Sequence, residues 1–230
     1  MGDAKRRALI AILLVAPIQT ATLLISHFSN AGWVGQTTFI TSKIWLLTIP
    51  LWWHLKVDGK KRSWSIPHHG GWKVASLLGI GMAGVILGAW FLIGTWAVDA
   101  EAIRVQWGVF GLTDWRILLA ACFYWIFLNS VLEEIVFRWF ITTRVETLVG
   151  SEIKWRTMAI TAAIFTLHHT VALLFSVALW LVILGTIAIF IAGLIFSWVF
   201  LKYRSIWVVW LCHAIADVGL FIVIGIIMLG

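Results

Sequence analysis

Residues 117–149 read ILLAACFYWIFLNSVLEEIVFRWFITTRVETLV. The run is largely apolar, with Glu133 and Glu134 near its middle, Arg138 one helical turn further on, and Arg144 and Glu146 only at its end. About 20 helical residues cross a hydrocarbon core of ~30 Å, so this stretch is long enough to span a bilayer. A charged side chain at mid-depth costs about 2.5 to 3.5 kcal/mol even on the lenient insertion scale, which makes three together a candidate site.

Working outward, comparable apolar segments recur near 8–28, 37–54, 74–98, 156–177, 178–201 and 205–229 around the central one at 116–146. The chain of 230 residues is 62% hydrophobic and 12% charged, with a mean hydropathy of +1.00. So few polar residues cannot build a water-exposed surface. The expected fold is all-α: one membrane domain over residues 1–230, a polytopic transmembrane helical bundle of about seven spans. Residues 170–201 are the stretch that would give an eighth if divided differently. The protein is expected to be integral and multi-pass in the cell membrane, in contact with lipid.

Charge placement gives an independent check, because Lys and Arg gather in cytoplasmic loops. With a cytoplasmic N-terminus, the inside groups are Lys5, Arg6 and Arg7; Lys56, Lys60, Lys61, Arg62 and Lys73; Arg144, Lys154 and Arg156; and Lys202 and Arg204. Lys43, Arg104 and Arg116 then fall outside. The net charge of +7 reads as a topology signal and an attraction to anionic headgroups, with no nucleic acid as partner. Trp33, Trp45, Trp52, Trp53, Trp64, Trp72, Trp155 and Trp207 lie near span ends and are expected to anchor at the headgroups.

Residues 1–98 are expected to be three scaffold spans almost without intramembrane polar groups, and 116–229 the chemical core. In the third span Gly84 and Gly88, with Gly79 and Gly81 nearby, are expected to let helix backbones approach closely. The loop pair His68 and His69 is expected to be solvated. Cys122 and Cys212 lie inside spans and give no disulfide framework.

On a helix, residues four apart share a face. Ser130, Glu134 and Arg138 form one stripe, and Asn129, Glu133 and Phe137 the next. Arg138 can neutralise Glu134, which leaves Glu133 as the carboxylate without an intrahelical cation and so the candidate general base. The fifth span adds Phe165, His168 and His169, and the seventh His213 with Asp217 on the same face. At 1.5 Å per residue, Glu133, His169 and His213 lie roughly 14 to 20 Å from the basic ends of their helices, in one slab of the membrane. Each element alone has a structural reading as an ion pair or a satisfied core polar group. Matched depth on separate helices favours a shared site facing the cytoplasm.

Three segments carry a resemblance. Glu133 to Arg138 fits Glu-Glu-x-x-x-Arg, Phe165 to His169 fits Phe-x-x-x-His, and His213 to Asp217 fits His-x-x-x-Asn/Asp. In that order the chain resembles, over about residues 116–229, the CAAX protease and bacteriocin-processing (CPBP, or Abi) family of intramembrane proteases, which includes the Ras-converting CAAX endopeptidase. The resemblance implies a peptide-bond hydrolase in which Glu133 and His169 activate water, His213 and Asp217 stabilise the oxyanion, and Glu134 and Arg138 position the site. It selects His169 over His168.

Asp217 departs from the Asn usual in the prenyl-protein branch. Ionised Asp cannot donate to an oxyanion, so it must be protonated, orient His213 as a charged donor, or ligate a metal. Catalysis by glutamate without a cofactor is expected. The alternative is Zn²⁺ held by two His and two carboxylates, although no His-Glu-x-x-His segment is present. The substrate is expected to be a membrane-associated polypeptide cut near the cytoplasmic leaflet, such as a prenylated C-terminus or a bacteriocin precursor. The competing reading is a noncatalytic protein of the same fold, either a proton-coupled transporter or a binding and assembly factor.

Overall fold

A computed structural model describes residues 2–29, 32–152 and 154–230, and among them every regular element is helical. Seven long helices appear: α1 (Asp3–Phe28), α2 (Trp33–Trp52, prolonged by Trp53–Val57), α3 (Trp72–Ala97), α4 (Trp115–Val149), α5 (Lys154–Leu174), α6 (Leu179–Tyr203) and α7 (Ile206–Leu229). Six are long and apolar enough to cross a membrane. The exception, α2, has the length but carries Gln36, Thr37, Thr38, Thr41, Ser42 and Lys43 in its first half. The 170–201 stretch divides once, between Leu174 and Leu179, so no eighth span forms there.

The radial order is that of a protein dissolved in lipid. Leu77, Val85 and Leu92 are exposed, whereas Asn129, Ser130, Glu133, Glu134, Arg138, His168 and His213 are buried. With no water in the hydrocarbon, backbone groups bond within the helices and polar side chains turn inward to find partners. The chain is therefore an integral, multi-pass membrane protein.

Helix α4 runs through the middle, touching α2, α5, α6 and α7, while α3 packs along α7, α5 along α6 and α1 along α2. Prolines break the outer helices where expected of a residue without an N–H: Pro17 at a turn inside α1, Pro50 just before the wide turn Trp53–Val57. Helix α4 also departs from regular α geometry. Tyr124–Asn129 and Glu134–Thr142 are π-helical on either side of Ser130–Glu133. Such insertions in a helix often coincide with functional positions. Gly150, at φ 95°, ends α4 in a conformation that costs a side chain but not glycine.

One end of the bundle collects the charges that the loop alternation assigns to the cytoplasm. The start of α1 meets the end of α4, Arg144 pairs with Asp58 at 2.5 Å, and Arg204 forms two bonds to Glu146 at 2.7 Å. Those bonds hold the Arg204 guanidinium above its ordinary pKa. The loop between α2 and α3 is pinned to the α6–α7 corner, with Ser205 Oγ donating to the Ser65 carbonyl and Trp207 Nε1 to that of Trp64. His68 and His69 in this loop are exposed.

Two expectations need correction. Gly84, Gly88 and Gly81 face open space, and the close helix contact lies elsewhere: a Cβ on Gly79 would come within 2.8 Å of the Cys212 carbonyl, and one on Gly219 within 2.8 Å of Ala83. The small residues that bring α3 and α7 together are thus Gly79, Ala83 and Gly219, one face away from the Gly84–Gly88 pair. Trp53 is no anchor either. It is buried in the core, because the wide turn after Pro50 swings it inward, whereas Trp33, Trp64 and Trp155 remain exposed.

Candidate active site

The acidic pair sits where α4 crosses α7. Glu134 is fully buried and holds two partners, one on each oxygen. Arg138 Nε donates to Oε2 at 3.2 Å, closing the i,i+4 pair, and His213 Nδ1 donates to Oε1 at 2.7 Å. Arg138 is itself fully buried between the Phe165 and Phe196 rings, 4.6 and 5.4 Å from their centroids, and donates through Nη1 to Ser197 Oγ at 3.2 Å. A buried charge needs pairing, which Glu134 supplies; of the guanidinium nitrogens, Nη2 has no hydrogen-bond partner among the described residues.

Ser130, on the same stripe, is turned away from the acids. Its hydroxyl bonds to the Ile126 carbonyl and accepts from Trp210 Nε1 at 3.1 Å. It closes the α4–α7 contact beneath the site.

Glu133 is buried as well, and no cation of its own helix reaches it. Asn129 Nδ2 donates to its Oε1 at 2.8 Å, while Oε2 lies 3.9 Å from His213 Nε2. Asp217 Oδ1 approaches the same His213 nitrogen at 3.6 Å. His213 is thus oriented from one side by Glu134 and turned on the other toward the space between Glu133 and Asp217. Its ring stacks on Phe196, centroids 4.8 Å apart, which fixes its plane.

From α5, His169 donates Nδ1–H to the Phe165 carbonyl at 3.0 Å, leaving Nε2 to face the site. One donor atom from each of Glu133, His168 and His169 lies within 4.8 Å of the others. The Glu133 carboxylate therefore meets imidazoles from α5 and α7, as the depth argument requires.

Geometrically, this trio fits a metal ion better than the expected set of two His and two carboxylates, since Asp217 is not in it. His213 and the Arg138 guanidinium bind the neighbouring Glu134, and only His213, with Nε2 3.9 Å from Glu133 Oε2, would compete with a cation for the carboxylate of the trio. His168 is buried, parallel to the Phe137 ring with centroids 5.3 Å apart, and its Nε2 has no hydrogen-bond partner among the described residues.

The scaffold spans bury polar side chains of their own, Gln19, Thr22, Ser42 and His54. Lys43 of α2, assigned above to the outside, points into the bundle and donates from Nζ to Asn129 Oδ1 at 2.6 Å. Of the polar residues on α2, Ser42 is buried and Lys43 half-buried while Gln36, Thr37 and Thr41 stay exposed, and the ammonium finds on α4 an acceptor that lipid cannot provide. The low apolarity of residues 36–43 was the available signal. Ser197, buried in the otherwise apolar second half of α6 ahead of Lys202, gave a weaker one. Beside Lys43 and Asn129, a cavity of about 370 Å³ opens between α2 and α4, its remaining lining, Tyr124 apart, largely aliphatic.

Residues 115–219 match the family model described as Type II CAAX prenyl endopeptidase Rce1-like. The matched segment runs from the start of α4 into α7 and contains all three motifs, so the resemblance read from them holds over that segment. The match supports a membrane protease of the CAAX endopeptidase type acting on a polypeptide. Neither a curated protein nor a solved structure matches the chain.

Proposed function

We propose that the protein is an intramembrane endopeptidase in which Glu133 is the general base. The observation that carries this reading is the position of Glu133: a buried carboxylate without an intrahelical cation, one oxygen held by Asn129 and the other facing His213, with His169 alongside. A water between Glu133 and His169 would give its proton to the pair and attack a peptide carbonyl. Collapse of the tetrahedral adduct would then break the C–N bond as that proton passes to the leaving amine. His169, with Nδ1–H committed to a backbone carbonyl, offers a free Nε2 to share that proton.

The oxyanion would form against His213. With Nδ1–H given to Glu134, this ring presents Nε2 to the site, and a proton there makes it a donor. Asp217 beside that nitrogen favours the charged ring. Of the roles open to Asp217, orienting and charging His213 is the one this geometry supports. Glu134 and Arg138 hold the arrangement from beneath.

The cavity between α2 and α4 is the approach we assign to the substrate, a membrane-associated polypeptide with an apolar or prenylated end. Its aliphatic walls suit a hydrocarbon chain, and its polar corner lies next to the base. A bacteriocin-like precursor would use the same entrance.

The experiment is cleavage by purified protein of a farnesylated CAAX peptide, its unprenylated counterpart and a hydrophobic precursor peptide, with a liposome proton-flux assay in parallel. Cleavage without flux supports the protease. Proton flux with no cleavage would support the transporter reading instead.

A further inference from the structure

We propose that Lys43, which lies outside the matched segment, is a positioning residue for the Glu133 carboxylate and acts through the side-chain amide of Asn129. The inference rests on the reading of Glu133 as base. Lys43 Nζ is 2.6 Å from Asn129 Oδ1, and Asn129 Nδ2 is 2.8 Å from Glu133 Oε1, so one amide bridges an ammonium on α2 to a carboxylate on α4.

The chemistry of the three groups gives the bridge a direction. An ammonium can only donate and a carboxylate can only accept. The amide must therefore turn its oxygen to Lys43 and its NH₂ to Glu133. With Lys43 gone, the carboxylate still calls for the NH₂, but the amide oxygen loses its partner on α2 and the amide is held against Oε1 from one side only. The hold on Oε1 leaves Oε2, the oxygen facing His213, as the one available to water.

A simpler account would make Lys43 a snorkelling side chain reaching for the membrane surface. Its position argues otherwise. Its nearest ring is Phe39, 5.2 Å to the centroid, and no carboxylate among the described residues comes within ion-pair distance. The amine reaches into the bundle at mid-span, where ordering it costs free energy that a lipid-facing helix would avoid.

The test is a double-mutant cycle on Lys43→Met and Asn129→Leu, with Lys43→Arg as the conservative variant. It is read by thermal unfolding in detergent and by kcat and KM on a farnesylated CAAX peptide. Because both residues act through one bridge, the double variant is expected to unfold no lower than the worse single variant. Each single variant is expected to lower kcat ~10-fold or more with KM little changed, the usual weight of a hydrogen bond to a charged group. Lys43→Arg keeps a cationic donor and should retain more kcat than Lys43→Met.

Additive losses in unfolding temperature overturn the bridge whatever the activity does. Coupled unfolding with unchanged kcat overturns the positioning role. If the wild type cleaves no peptide, the protease reading fails, and the bridge stands or falls on the thermal cycle.

Discussion

His213 Nδ1 lies 2.7 Å from Glu134 Oε1, and this bond joins α7 to α4 at the level of the candidate base. Glu134 also receives Arg138 on its other oxygen, so it is the hub that aligns the imidazole and the guanidinium. All three side chains are buried.

Removing the cation from this hub should be costly. Arg138→Met leaves the fully buried Glu134 without its guanidinium, and breaking a buried pair typically costs about 3 to 5 kcal/mol. The expected result is a large fall in unfolding temperature in detergent, with Arg138→Lys intermediate because it lacks the second donor to Ser197. A variant as stable as wild type would contradict the hub.

Asp217 should tolerate the amide that the resemblance leads one to expect. Asp217→Asn keeps a polar group beside His213 Nε2 and adds a donor for the oxyanion, so activity should stay within about tenfold of wild type. Asp217→Ala removes both functions and should lose more. The comparison of kcat for the two variants checks it.

His168 separates glutamate from metal catalysis. Its ring packs on Phe137 and Phe165 and lies 3.9 Å, centroid to centroid, from His169, contacts that a phenylalanine ring can keep. His168→Phe should therefore keep activity within about tenfold, and a chelator should leave the wild type unaffected. Loss on both tests would indicate a metal held by Glu133, His168 and His169.

The glycine correction is equally testable. Gly79→Ala places a methyl 2.8 Å from the Cys212 carbonyl, and such overpacking costs about 1 to 3 kcal/mol. Gly84→Ala and Gly88→Ala meet open space and should leave the unfolding temperature unchanged or raised.

Much of this arrangement was legible in the sequence for simple reasons. Apolar runs long enough to span a bilayer locate the helices, and the charged loops locate their ends. The i,i+4 rule pairs Glu134 with Arg138 and puts His213 and Asp217 on one face. The same rule separates Glu133 from the cation of its own helix.

What it missed is lateral. Nothing in one-dimensional spacing says which face of α2 meets α4, so Lys43 read as a peripheral charge and its bond to Asn129 was out of reach. A preference for small residues four apart pointed to Gly84 and Gly88, but the helix rotation that selects Gly79 and Ala83 depends on what α7 presents, namely Gly219 and the Cys212 backbone. The π-helical stretches of α4 leave no compositional mark either.

The most direct test of the central claim compares wild type with Glu133→Gln in cleavage of a membrane-embedded peptide substrate, with unfolding temperature measured on the same preparations. Glutamine keeps the shape and the Asn129 contact but cannot accept the water proton. Cleavage should fall by at least ~10²-fold while the folded state persists. Equal cleavage by the two proteins would contradict the assignment of Glu133 as the base.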